Sequence, residues 1–249
     1  MKKNRILQQN RTEIGISVKS MDNIIICTLK SWNIEEADKL RLKYQKKYNI
    51  YVVSEKEKLY DMVQKLKPIY IFFPHWSYII PKEIYDNYEC VVFHMTDLPF
   101  GRGGSPLQNL IVRGIEETKI SALRVVKEID AGPIYFKKGL KLDGSAEEIF
   151  RRSSKIIFGQ MIPEILEKQC IPKEQTGDIV NFERRKPEQS ELKSDMPINV
   201  IYDYIRMLDA EGYPNAFVKW GNYKLKFTAA SKKDGKITAN VEIEENLNE

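Results

Sequence analysis

Apolar residues in this chain fall in short blocks that alternate between two periods. Residues 24–29, Ile-Ile-Ile-Cys-Thr-Leu, form an apolar run of strand length, suited to a strand buried on both faces. Acids at Glu35 and Glu36 then open an amphipathic segment to about Tyr48, with Ser31 or Asn33 as its N-cap. The alternation repeats, with strands expected at 50–54, 68–73 and 90–94 and helices at 55–66 and 81–85. A helix follows from Ser105 to about Gly114, then strands over 119–129 and 134–136. A long helix opens after Asp143, with Ser145 as N-cap and Glu148 completing a capping box. Its apolar face runs through Ile149, Ile156, Ile157, Met161 and Ile165.

Strands alternating with helices predict an α/β fold, a mostly parallel sheet with helices on both faces. Right-handed crossovers then line the strand carboxyl ends along one edge, where open α/β sheets hold ligands. The pattern changes near Cys170. Residues 171–197 are proline-rich and irregular; beyond them a helix at 198–208 and strands at 217–220, 223–229 and 236–243 form a small α+β appendage. The organisation expected is therefore a leader or extra strand at 1–21, a catalytic domain at 22–180 and a C-terminal subdomain at 181–249.

Composition narrows the class. With 249 residues, 42% hydrophobic and 30% charged, the chain suits one large domain with a small companion. Its longest apolar runs are too short to cross a membrane, and the first residues are Lys/Arg/Gln-rich with no apolar signal core, so no membrane partner is expected. Cys27, Cys90 and Cys170 are widely spaced, form no CxxC and point to a reduced cytoplasm. With only two histidines, no metal site is expected. The net charge of +5 is spread among interleaved acids and bases, so no nucleic-acid footprint is expected. The sheet is Rossmann-like but lacks GxGxxG and the P-loop, which argues against NAD and ATP.

The candidate chemistry lies in residues 90–106. The strand ending at His94 opens into a loop rich in glycine and proline around Arg102. His94 is either a hydrogen-bonded core histidine or a reactive group; Asp130, before Ala131-Gly132-Pro133, is either a turn aspartate or its partner. A histidine oriented by a carboxylate can move a proton or stabilise a developing negative charge.

Phe93-His94-x-x-x-Leu98-Pro99-x-x-Arg102-Gly103-x-x-Pro106-Leu107-Gln108, followed by Ile129-Asp130-Ala131-Gly132-Pro133-Ile134, resembles the formyltransferases that use N10-formyltetrahydrofolate. The likeness covers roughly residues 23–190 and implies acyl transfer, with His94 and Asp130 catalytic and folate as co-substrate. It also implies that the turn Thr96, Asp97, Leu98, Pro99 borders the folate and that Trp76 and Ser77 lie beside the pterin. The family usually has Asn two residues before the His; here Val92 stands there and cannot donate, so another group such as Asn109 must hold the oxyanion.

The roughly fifty residues after Asp195 look too few for the tRNA-binding barrel of methionyl-tRNA formyltransferases. Residues 184–188 and 209–217 instead resemble the nucleotide-sugar N-formyltransferase branch. The resemblance is to enzymes acting on a UDP-linked 4-amino-4,6-dideoxy-N-acetylhexosamine in glycan biosynthesis. That implies a nucleotide-linked amino sugar as partner, with Arg102, Gly103, Arg184, Arg185 and Lys186 toward its diphosphate. A methionyl-tRNA formyltransferase-like enzyme and a non-catalytic folate- or nucleotide-sugar-binding module are the alternatives, and a homodimer is left open.

Overall fold

Four parallel strands form the heart of the protein, here a computed structural model describing residues 21–168 and 170–245. They are β1 (Asp22–Cys27), β2 (Tyr48–Val53), β3 (Tyr70–Phe73) and β4 (Cys90–His94), in spatial order β2-β1-β3-β4. Helices α1 (Ser31–Tyr44), α2 (Leu59–Leu66) and α3 (Lys82–Tyr85) connect them. The expected leader at 1–21 lies, apart from Met21, outside the described residues.

The apolar run in β1 behaves as its pattern predicts. Ile24 and Ile26 face one layer, against Trp32, Leu40 and Phe72. Ile25 and Cys27 face the other, against Leu59, Val63 and Ile84. All four are fully buried, and burying each of the three isoleucines stabilises by about 1.5–3 kcal/mol. Neither expected N-cap serves α1: Lys30 holds that position, and the Asn33 amide donates to Thr28 Oγ1 at 2.9 Å.

After His94 come β5 (Phe100–Gly103), α4 (Pro106–Ile111), β6 (Glu117–Arg124) and β7 (Ile134–Lys141). β6 joins the sheet antiparallel to β4, and β7 antiparallel to β6. The strand expected over 119–129 thus stops at Arg124, and the one expected at 134–136 continues to Lys141. The long helix is α5 (Ala146–Ile156) and α6 (Ile162–Glu167), joined by a π-turn over Ile157–Met161. Its capping box forms as predicted: Ser145 Oγ accepts from Glu148 N–H at 3.3 Å, and Glu148 accepts from Ser145 N–H at 2.8 Å.

β8 (Val180–Phe182) runs parallel to β5 in a separate two-stranded ladder that the sequence pattern does not predict. The C-terminal part holds α7 (Ile198–Arg206) and an antiparallel sheet of β9 (Ala216–Trp220), β10 (Tyr223–Lys233) and β11 (Lys236–Glu245). No helix among the described residues is long and apolar enough to cross a membrane.

Candidate active site

His94 ends β4, sharing a strand face with Val92 because alternate side chains point the same way. Its Nε2 lies 2.7 Å from the Gly101 carbonyl, so that nitrogen carries the proton. Its Nδ1 lies 3.4 Å from Asp130 Oδ2. The ring is buried and held at both ends by chain atoms.

Asp130 does not reach His94 by sharing an edge with it. β6 pairs antiparallel with β4, Arg124 opposite Val91, so the loop leaves near the amino end of β4 and doubles back. Asp130 is held at φ 53°, a left-handed conformation that costs a non-glycine residue roughly 1–3 kcal/mol. Three groups hold it there. Gly103 N–H donates to Asp130 Oδ2 at 2.9 Å. The Gln175 amide donates to the carbonyls of Asp130 and Gly132 at 2.8 and 2.9 Å. Arg102 fixes Gln175 in turn, donating to its Oε1 from Nε and Nη2 at 3.1 and 2.8 Å. Gln175 lies in a stretch without periodicity, so sequence reasoning misses it.

Gly103 must be glycine. Its φ is +104°, and a Cβ would lie 2.4 Å from the Phe182 carbonyl across the β5–β8 ladder. That close approach aims its N–H at Asp130.

Asp130, Gly103, Gly104 and Val92 border a cavity of about 780 Å³. One end is apolar, walled by Trp76, Ile80, Tyr85, Val125 and Ile129. Trp76 Nε1 is buried there with no hydrogen-bond partner among the described residues. The other end holds His75, Phe150, Ser153, Arg184 and Tyr213. Ser153 Oγ is likewise buried and unpartnered. His75 adopts φ 53° and packs edge-on to Phe150 with centroids 4.5 Å apart. Burial, and the Lys30 charge beside it, lower its pKa to about 4, so it is neutral near pH 7. Phe150 also stacks on Tyr213, whose hydroxyl burial pushes up to about 12.

Trp76, Ser77, Gly103, Asp130 and Arg184 therefore all line this cavity. The turn 96–99 does not line it. Ser121 clamps that turn through Thr96 O at 2.7 Å and Leu98 N at 3.4 Å, and the Leu98–Pro99 bond is cis. Burial raises the Asp97 pKa, but Lys137 and Lys119 outweigh it and leave the carboxyl below its ordinary value. Arg102 is engaged by Gln175. Arg185 donates to the Gln189 carbonyl at 2.7 Å, and Lys186 is exposed outside the cavity. Asn109 cannot supply the oxyanion contact proposed from sequence. Its amide donates to the carbonyls of Gly104, Ser105 and Glu183 at 3.0, 3.2 and 2.9 Å, which uses both its protons.

Residues 187–244 match the family model for the methionyl-tRNA formyltransferase C-terminal domain. A methionyl-tRNA formyltransferase from Bacillus licheniformis is 26% identical over 180 residues, 69% of this chain and 56% of that protein. The chain thus spans just over half the length of such curated relatives. A solved methionyl-tRNA formyltransferase from Clostridium thermocellum is 59% identical, with a TM-score of 0.89, and the match covers 90% of this chain and 100% of that one. A sugar N-formyltransferase from Shewanella superposes with a TM-score of 0.65 over 86% of this chain and 99% of its own. At 14% identity it shares the fold alone. These findings overturn the nucleotide-sugar assignment: 59% identity lies with a methionyl-tRNA formyltransferase, and the C-terminal residues judged too few for that type match its C-terminal domain. At that identity over the whole of a solved formyltransferase chain, the protein belongs to the formyltransferase family.

Proposed function

We propose that the chain transfers a formyl group from N10-formyltetrahydrofolate to the amine of a methionyl-tRNA-type acceptor. The observation that carries the reading is the 59% identity to a methionyl-tRNA formyltransferase along its full solved length. The apolar end of the cavity, with Trp76 in its lining, suits a flat heteroaromatic ring. The co-substrate supplies an activated formyl carbon. The chain's own groups then manage protons. Asp130 Oδ2 is engaged by Gly103 N–H and His94, whereas Oδ1 has no partner among the described residues and accepts the proton of the attacking amine. His94, fixed through Gly101, faces that carboxylate with Nδ1, which donates to Oδ2 once the ring takes up a second proton.

The test is to incubate the protein with N10-formyltetrahydrofolate and methionyl-tRNA and to follow formylmethionine. Product is expected in the wild type, with kcat reduced about 10²–10⁴-fold in folded Asp130→Ala and His94→Ala. No product would refute the acceptor; turnover near wild type in either variant would refute the mechanism.

A further inference from the structure

β11 is the outer strand of the C-terminal sheet: one edge pairs with β10, and among the described residues the other edge pairs with nothing. It is a ten-residue strand without proline, and the sheet's bulge falls on β10 opposite it. A long open edge of this kind is a template for another strand.

Side chains alternate along β11. Ile237, Ala239, Val241 and Ile243 share one side; Lys236, Thr238, Asn240, Glu242 and Glu244 share the other. α7 covers the apolar side only at the Ile237 end. There Lys232, paired across from Ile237, donates to Asn199 Oδ1 at 2.9 Å and sits over the Tyr202 ring. The opposite end is bare, with Val241 49% and Ile243 60% exposed beside exposed Trp220 and Tyr223. On α7 itself Ile198 and Val200 are exposed.

The charges are sorted along the strand, with lysine at its start and glutamates at its end. Glu244 is already paired with Lys226, but Lys236 and Glu242 enter no ion pair among the described residues. We infer that β11 pairs antiparallel with β11 of a second copy of this chain, the two-fold axis passing at Ala239. This register sets Lys236 opposite the partner's Glu242 and Ile237 opposite the partner's Val241. Thr238 then meets the partner's Asn240. A one-residue slip would set apolar against polar side chains, and a two-residue slip would take Lys236 off Glu242. Because the contact is two-fold, each pairing occurs twice. The two sheets become one of six strands, and each α7 is carried toward the bare Val241–Ile243 end of the other copy.

The test is sedimentation velocity on the full chain over a wide concentration range, with hydrogen exchange on β11. A dimer is expected, its β11 amides gaining protection as concentration rises. Lys236→Glu should raise the dimer dissociation constant at least tenfold, and Lys236→Glu with Glu242→Lys should restore it. Ile243→Lys, at an exposed position, should also weaken the dimer and leave the monomer folded by circular dichroism. A monomer at every concentration would overturn the inference, even with a protected edge, because another segment of the same chain would then cover β11. A dimer indifferent to Lys236→Glu and Ile243→Lys would overturn it too.

Discussion

Gln175 neither lines the cavity nor contacts His94, yet its loss should cost most of the activity. Its amide makes the two hydrogen bonds that anchor the carbonyls of Asp130 and Gly132. Each such bond contributes about 0.5–1.5 kcal/mol net. Together they match the roughly 1–3 kcal/mol that a left-handed non-glycine residue costs, so Gln175 is what makes the Asp130 conformation affordable. Without it, the loop should spend most of its time in relaxed conformers that withdraw the carboxylate. At 1.4 kcal/mol per factor of ten, kcat should fall about 10–100-fold in Gln175→Ala. Because the ligand-lining side chains are untouched, KM for folate should move less than about threefold. Gln175→Glu is the sharper variant. It keeps an acceptor for Arg102 but presents a carboxylate to two carbonyls, so it should be at least as impaired as alanine. Steady-state formyl transfer with thermal melts reads all of these quantities. If kcat stayed within twofold of wild type in both variants, Gly103 N–H and His94 alone would suffice to hold Asp130, and the bracing role of Gln175 would be wrong.

Three further outcomes are expected. Asn109→Ala removes the side-chain donor from the Gly104 and Glu183 carbonyls, while Ser105 O keeps the backbone N–H of residue 109, and should destabilise the fold by about 1–3 kcal/mol, with kcat per folded molecule nearly unchanged; a large kcat loss without a stability loss would return Asn109 to the reaction. Ser145→Ala should cost about 0.5–2 kcal/mol through the lost cap and leave kinetics alone, as denaturant melts and turnover would show. His75 ordinarily titrates near 6.5 and is lowered to about 4 in the fold. The folded state thus favours the neutral ring, and the unfolded chain binds more protons between those values. Stability from this site is full above about pH 6.5 and is lost as pH falls toward 4, by up to about 3 kcal/mol and less for the partly accessible ring. His75→Phe should flatten the melting temperature between pH 7.5 and 4.5; an unchanged slope would show that other groups set it.

Legibility in the sequence followed the physics of each element. β1 could be read because both its faces are buried, leaving an unbroken apolar run. The cap at Ser145 could be read because it is local, needing only Glu148 three residues on. β5 could not. Phe-Gly-Arg-Gly has no alternation, and its ladder comes from Val180–Phe182, far along the chain. The direction of β6 was equally hidden, since an apolar pattern marks a strand without saying which way it runs. That direction decides how Asp130 reaches His94. Arg102 shows the limit most plainly: residue type suggests a phosphate fork, but the fork closes on Gln175, a residue that no pattern singles out.

The segment between α6 and α7 is therefore more than a connection between a core and an appendage. Gln175 holds the Asp130 loop, the Phe182 carbonyl packs where only glycine fits at 103, and Arg184 enters the cavity wall beside Gly104. Irregular composition here reflects many individual, non-repeating contacts with the centre, each requiring its own backbone geometry. A periodic helix or strand would present side chains at fixed intervals and could not meet Asp130, Gly103 and the cavity in succession. This gives the loss of pattern after Cys170 a physical reason. The chain stops repeating where it has to fit around the site, and regular periods return in α7 and then in β9, β10 and β11.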